Sequence, residues 1–171
     1  MATTNLSAYD KSTIPSGEKL NIGIVVSEWN AEITENMCKG AIETLVDCGV
    51  VQHNIIRWDV PGSFELVFGC KKMVETHHLD AVIAIGCVIQ GETKHFDFVC
   101  EGVTKGIVDL NLKYNTPIIF CVLTDNTKQQ SIDRSGGKLG NKGVEAAITA
   151  IKMADIKNID NTRDHIGFLN Q

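Results

Sequence analysis

"DAVIAIG", residues 80 to 86, is the stretch that decides the fold. Residues 81 to 85 are all apolar, so an extended segment here is apolar on both faces. That suits a strand covered by helices on both sides better than one with a face in water. "PIIFCVLT" (117–124), opened by Pro117, is a second such segment. "NIGIVVS" (21–27) is a short β-branched run, and "NIIRWDV" (54–60) ends at the turn pair Pro61-Gly62. Helical spacing fills the gaps between these strands. Ile33, Met37, Cys38, Ala41, Ile42, Leu45 and Val46 recur at intervals of three and four and mark one helix face, with Gly49 as its stop. Helices are also predicted over residues 64 to 77, 95 to 114 and, briefly, 127 to 134. In the last helical stretch, "NKGVEAAITAIKMADI", Val144, Ala147, Ile148, Ile151 and Ala154 share a face. Strand and helix therefore alternate four times. This implies right-handed crossovers and an α/β architecture: a three-layer αβα sandwich around a four-stranded parallel, flavodoxin-like sheet.

The chain has 171 residues, enough for one domain that removes roughly 70 per cent of its unfolded surface from water. We assign residues 1–19 to an N-terminal arm without hydrophobic period, loosely held and punctuated by Pro15 and Gly17. Residues 20–158 form the domain, and 159–171 a polar C-terminal tail. Hydrophobic residues at 43% and charged ones at 22% describe a soluble protein, and no apolar run approaches the roughly 20 residues needed to cross a bilayer. The polar N-terminal stretch reads neither as a signal peptide nor as an anchor, so a cytoplasmic location is expected. A net charge of −5 without a Lys/Arg run argues against nucleic acid as a partner. The six cysteines have no CxxC or metal-ligand spacing and are expected to be buried thiols.

Parallel sheets bind ligands beyond the carboxyl ends of their strands. Those ends carry Ser27-Glu28-Trp29-Asn30, then Val60-Pro61-Gly62-Ser63-Phe64-Glu65, then residues 86 to 95, then Thr124-Asp125-Asn126-Thr127. Trp29 reads either as a half-exposed cap on the next helix or as a platform for a flat ligand. Glu65 and Glu92 both fit the first turn of a helix, where the dipole favours an acid. Ser63 lacks the G-x-S-x-G context of a nucleophile. His95 follows a glycine-containing loop with Asp97 and Glu101 nearby, and an imidazole can accept and donate a proton near neutrality. A mixed-charge helix start accounts for it about as well. In "DRSGGKLGNKG" (133–143), Gly136, Gly137, Gly140 and Gly143 permit close backbone approach, and Arg134, Lys138 and Lys142 supply charge ahead of a helix. The segment reads as a phosphate site or as a flexible basic loop, and it matches neither a Walker loop nor G-x-G-x-x-G.

Taken in order, "GIVVSEWN", "VPGSFEL", "IGCVIQGETKHFDFV", "PIIFCVLT" and "DRSGGKLGNKG" closely resemble the 6,7-dimethyl-8-ribityllumazine synthase family of riboflavin biosynthesis, over about residues 21 to 155. The resemblance implies a transferase that joins 5-amino-6-(D-ribitylamino)uracil to 3,4-dihydroxy-2-butanone 4-phosphate without cofactor or metal. By resemblance, Trp29 stacks on the pyrimidine and Ser63, Phe64 and Glu65 line the ribityl chain. Cys87, Val88 and Ile89 hold the heterocycle edge through backbone groups, and Glu92 and Thr93 sit at the phosphate. His95 is the proton carrier, Arg134 the phosphate-binding arginine, and Lys142 a nearby cation. The resemblance also implies a pentamer whose sites lie between neighbours, with Phe120 and the Arg134 segment supplied by the adjacent chain. Gln90 replaces a residue that is often basic in the family, and Cys87 replaces a common Thr. Glu92 repels a phosphate unless its side chain turns away and its N–H faces in.

The short "GGKLGN" turn resembles that of members packing twelve pentamers into a 60-subunit icosahedral shell, in which the arm pairs with a neighbour's sheet and riboflavin synthase is a conceivable enclosed partner. A non-catalytic flavin- or lumazine-binding protein, or a shell protein, on the same scaffold is the alternative. The presence of His95, Arg134 and Lys142 favours the enzyme.

Overall fold

The structure, a computed structural model, describes residues 5–159; of the predicted tail at 159–171 it describes Ile159 alone, as the last residue of the final helix, and 160–171 and the first four residues of the arm lie outside the described residues. Four strands, β1 (Ile22–Ser27), β2 (Ile55–Val60), β3 (Ala81–Ile89) and β4 (Ile118–Asp125), form one sheet in the order β2-β1-β3-β4. Every pairing in it is parallel, Ile22 lying opposite both Ile55 and Ala81, and Val82 opposite Ile118. The helices are α1 (Ala31–Asp47), α2 (Leu66–Thr76), α3 (His95–Lys113), α4 (Lys128–Arg134) and α5 (Lys142–Ile159).

The uniformly apolar strands do what their composition demands. Side chains alternate along a strand, so each face of the sheet takes every second residue. Ile22, Ile24, Val26, Ile83, Ile85, Cys121 and Leu123 face α1 and α5. Val25, Val82, Ala84, Ile118 and Val122 face α2 and α3. The predicted three-layer sandwich with a flavodoxin-like sheet is thus observed. Edge strand β2 is only half-buried and carries Arg57 outward, where the guanidinium pairs with Glu35 of α1 and with Asp59 two residues on. Among the described residues, no helix is long and apolar enough to cross a membrane.

Several details depart from the expectation. Strand β3 runs to Ile89, three residues past the predicted end, because β4 keeps pairing with it as far as Ile89 opposite Asp125. Helix α2 starts at Leu66 and not at 64, since residues 62 to 65 form a turn in which the Glu65 N–H donates to the Gly62 carbonyl. Val46 stands at the edge of the α1 stripe and is 42% exposed. Cys100 is half-buried while the other five thiols are buried. Within 133–143 a small antiparallel hairpin appears, β5 (Ser135–Gly137) with β6 (Gly140–Asn141), which the glycines had masked as loop. Arm residues 5–19 are tied to the domain. The Leu6 N–H donates to the Leu139 carbonyl at 2.7 Å, the Gly17 N–H to the Cys48 carbonyl, and the Tyr9 hydroxyl to Asp47. Gly143 is needed where α5 meets α1, because a Cβ there would collide with the Met37 carbonyl oxygen.

Candidate active site

Strands β1 and β3 are adjacent in the sheet although β2 separates them in sequence, so the chain reverses direction between them and leaves a crevice at their carboxyl ends. The crevice is built by extending the sheet's own pairing. Beyond β1, the Glu28 N–H donates to the Val60 carbonyl (2.8 Å) and the Trp29 N–H to the Pro61 carbonyl (3.2 Å), which sets Trp29 beside Pro61-Gly62. Asn30 then adopts the left-handed conformation (φ 60°), which asparagine tolerates better than most residues. Its side-chain amide donates to the Cys87 carbonyl at 2.9 Å, fastening the start of α1 to β3.

The result is a cleft of about 590 Å³. Trp29 and Asn30 form one wall, Gly62, Ser63, Phe64 and Glu65 a second, and the end of β3 with Cys87, Val88 and Ile89 the floor. The first turn of α3 closes it with His95, Phe98 and Val99. Trp29 is 73% exposed and Phe64 55%, so both rings show broad apolar faces. Ser63 is 6% exposed, and its hydroxyl has no hydrogen-bond partner among the described residues. A buried hydroxyl without a partner costs free energy, and such groups point to a missing water or ligand. The close approach of Ser63 to the sheet requires Gly86, where an added Cβ would stand 2.6 Å from the Ser63 Oγ.

Eight of the sequence-predicted site residues therefore meet in one cleft: Trp29, Ser63, Phe64, Glu65, Cys87, Val88, Ile89 and His95. Glu92 and Thr93 stand in the exposed loop before α3, next to the cleft and not among its walls; the Thr93 hydroxyl accepts from the His95 N–H at 3.4 Å. Phe120, Arg134 and Lys142 lie outside it. Phe120 lines a shallower depression with Phe98, Glu101 and Lys105, so Phe98 borders both hollows. The Arg134 guanidinium donates to the Gln130 carbonyl and lies 3.9 Å from Asp125. Lys142 pairs with Glu145 at 2.6 Å, and Lys138 with Asp133 at 3.0 Å. Hydrogen bonds from Gln129 and then Lys138 hold the Asp133 carboxyl below the usual carboxylate range. In the predicted anion segment, each of the three cations thus has an acid of its own chain beside it.

Sequence reasoning missed Asn30, Gly62, Phe98 and Val99 as cleft residues. Phe98 and Val99 were within reach, because they follow His95 by three and four positions and so share its helix face. Asn30 carried no signal beyond its place at a strand end.

The matching family model, described as 6,7-dimethyl-8-ribityllumazine synthase, covers residues 19–158. Relatives carrying that name include one from Flavobacterium johnsoniae, 67% identical over 159 residues that span 92% of this chain and 84% of the relative. One from Flavobacterium psychrophilum is 63% identical over 96% of this chain and 87% of its own length. One from Christiangramia forsetii is 62% identical over 92% of this chain and 95% of its own length. The match spans the whole sheet and every strand end that shapes the cleft, and the chain belongs to the 6,7-dimethyl-8-ribityllumazine synthase family.

Proposed function

We propose that the cleft condenses 5-amino-6-(D-ribitylamino)uracil with 3,4-dihydroxy-2-butanone 4-phosphate to give 6,7-dimethyl-8-ribityllumazine, phosphate and water. The observation that carries this reading is the meeting of a flat aromatic face, a row of polar and backbone groups, and an imidazole in one crevice: Trp29, the Ser63–Glu65 turn with the β3 end, and His95. Trp29 stacks on the pyrimidine, as a large exposed ring can. The unpartnered Ser63 hydroxyl and the Glu65 carboxylate offer hydrogen bonds to ribityl hydroxyls. Carbonyl and N–H groups at the end of β3 hold the heterocycle edge.

The reaction follows from the substrates' chemistry. The uracil's amine attacks the ketone and, with loss of water, forms an imine; phosphate is then eliminated, and the second nitrogen closes the ring with loss of a further water. Each step moves a proton, and His95 at the mouth of α3 carries them, an effect typically worth about 10²–10⁴ in rate. Holding both substrates face to face supplies much of the rest. Arg134 grips the phosphate through its planar fork, with Lys142 adding positive charge.

The working unit in this reading is a pentamer in which Phe120, Arg134 and Lys142 reach the cleft of the neighbouring chain. Their position away from their own cleft supports it. So do the apolar side chains left open on α3, where Val108 is 51% and Leu112 83% exposed and call for a covering partner. The short hairpin turn at 137–140 supports further packing into a 60-subunit shell able to enclose riboflavin synthase, and light scattering or electron microscopy tests that step. The activity is tested by mixing both substrates with purified protein and following lumazine absorbance. Product well above background is expected, and none above background refutes the reading.

A further inference from the structure

A buried polar chain runs behind the cleft floor. The Cys87 thiol, in the floor itself, donates to the Ser131 hydroxyl at 3.4 Å. That hydroxyl donates to the Asp125 carboxylate at 2.9 Å. The other oxygen of Asp125 faces the Arg134 Nε at 3.9 Å. Cys87, Ser131 and Asp125 are 2%, 0% and 8% exposed. The helix carrying Ser131 and Arg134 is itself pinned. Thr127 and Gln130 form a capping box, and the Gln130 side chain also accepts the Asn126 N–H at 2.8 Å. The Gln130 carbonyl in turn accepts from Arg134 Nη1 at 3.0 Å.

We infer that Asp125, held by Ser131, is a positioning residue that aims the Arg134 guanidinium at the phosphate of the second substrate. The geometry divides the guanidinium into two sides. Nη1 donates a hydrogen bond to the Gln130 carbonyl, and Nε lies 3.9 Å from Asp125, an ion-pair distance and not a hydrogen bond, so a hydrogen bond and a charge attraction together hold the rear of the group. The remaining N–H groups, on the end that matches phosphate geometry, stay available. A long arginine side chain ordinarily loses rotamer freedom on gripping a ligand, and anchoring it beforehand removes much of that cost. Shielding makes the Asp125–Arg134 attraction stronger than that of an exposed pair, because water screens it less. The Cys87 end joins this support to the floor that holds the heterocycle. Burial is the main cause that pushes the Cys87 thiol's pKa up, which keeps it the neutral donor at the head of the chain.

This inference rests on the lumazine synthase reading, and its test separates the two. In steady-state assays of the wild type, Asp125→Asn and Ser131→Ala, the KM for each substrate and the inhibition constant of inorganic phosphate are measured. Asp125→Asn is expected to raise the KM of the phosphate substrate and the phosphate inhibition constant together by about 5- to 10-fold, leaving the KM of the pyrimidine unchanged. Ser131→Ala moves the same two quantities by about 2- to 3-fold and decides the matter should Asp125→Asn not fold. In an Arg134→Ala background, Asp125→Asn adds nothing further to the phosphate constant, a non-additivity that a merely structural role would not produce. Unchanged phosphate constants, or equal losses for both substrates, overturn the positioning role while leaving the function intact. A wild type that makes no lumazine overturns both.

Discussion

Replacing Trp29 with alanine separates the two roles that this side chain can play. The ring is 73% exposed, so the chain's own core owes little to it, and substitution at such a site changes stability by no more than about 0.5 kcal/mol. A stacked pyrimidine, in contrast, would cover one face of the ring. Hiding about 60 Å² of that face is worth about 1.5 kcal/mol at roughly 25 cal/mol/Å². The offset aromatic stack adds about 0.5–1.5 kcal/mol. Together these give about 2–3 kcal/mol, or a loss of roughly 30- to 150-fold in affinity for the pyrimidine. Urea unfolding followed by far-ultraviolet circular dichroism reads the first quantity, and titration calorimetry with the pyrimidine substrate the second. Trp29→Phe keeps a flat face and recovers most of the affinity. An unfolding free energy lower by more than 1 kcal/mol with unchanged affinity would show the ring to be a cap on α1 and refute the stacking role.

His95→Ala is expected to slow turnover by about 10²–10⁴ while leaving pyrimidine binding intact. Arg134→Ala raises the KM of the phosphate substrate and spares the pyrimidine; equal loss of pyrimidine binding in both variants contradicts these roles. At the opposite edge of the sheet, hydrogen bonds from Arg57 hold the Glu35 carboxyl below its usual range. A carboxylate depressed on folding stabilises the fold above its unfolded pKa of about 4.3 and loses that contribution as the pH falls. Glu35 is half-exposed, so Glu35→Gln should cost only about 0.5–1 kcal/mol at pH 7, and progressively less as the pH falls below the unfolded value toward the depressed folded one. A constant difference across that range in thermal melts would show that the ionised form is not what matters.

The sheet was legible because its inner strands, β1 and β3, are apolar on both faces. Residues 81 to 85 leave no polar position to turn toward water, and such a strand is usually one covered by helices on both sides. Strand ends were less legible. Cys87, Val88 and Ile89 belong to β3 only because β4 continues beside them, and pairing with residues 36 positions further along the chain, as Ile89 pairs with Asp125, leaves no local mark in either strand. The hairpin at 135–141 was hidden for a related reason. Glycines that permit tight turns also suit a ligand loop, and Gly136 and Gly140 here take the positive φ of a turn. Within the cleft, chemistry-bearing side chains such as Trp29 and His95 could be named from their types. Asn30 works through a left-handed backbone and a bond to a carbonyl 57 residues away, and neither is written in its neighbours. Ser131 and Asp125 are likewise ordinary polar residues until the fold stacks them behind the floor.

The central claim is that His95 of one chain acts with Arg134 of another, and subunit mixing tests it most directly. His95→Ala and Arg134→Ala proteins are unfolded, mixed in equal amounts and refolded together, with wild type treated alike, and are assayed with the phosphate substrate well below the raised KM of Arg134→Ala, where each variant alone shows little activity. Random assembly places an intact His95 beside an intact neighbouring Arg134 at about one site in four, so the mixture should regain about a quarter of wild-type activity. A mixture no more active than its two components would mean that both groups serve a site within a single chain, and would contradict the account.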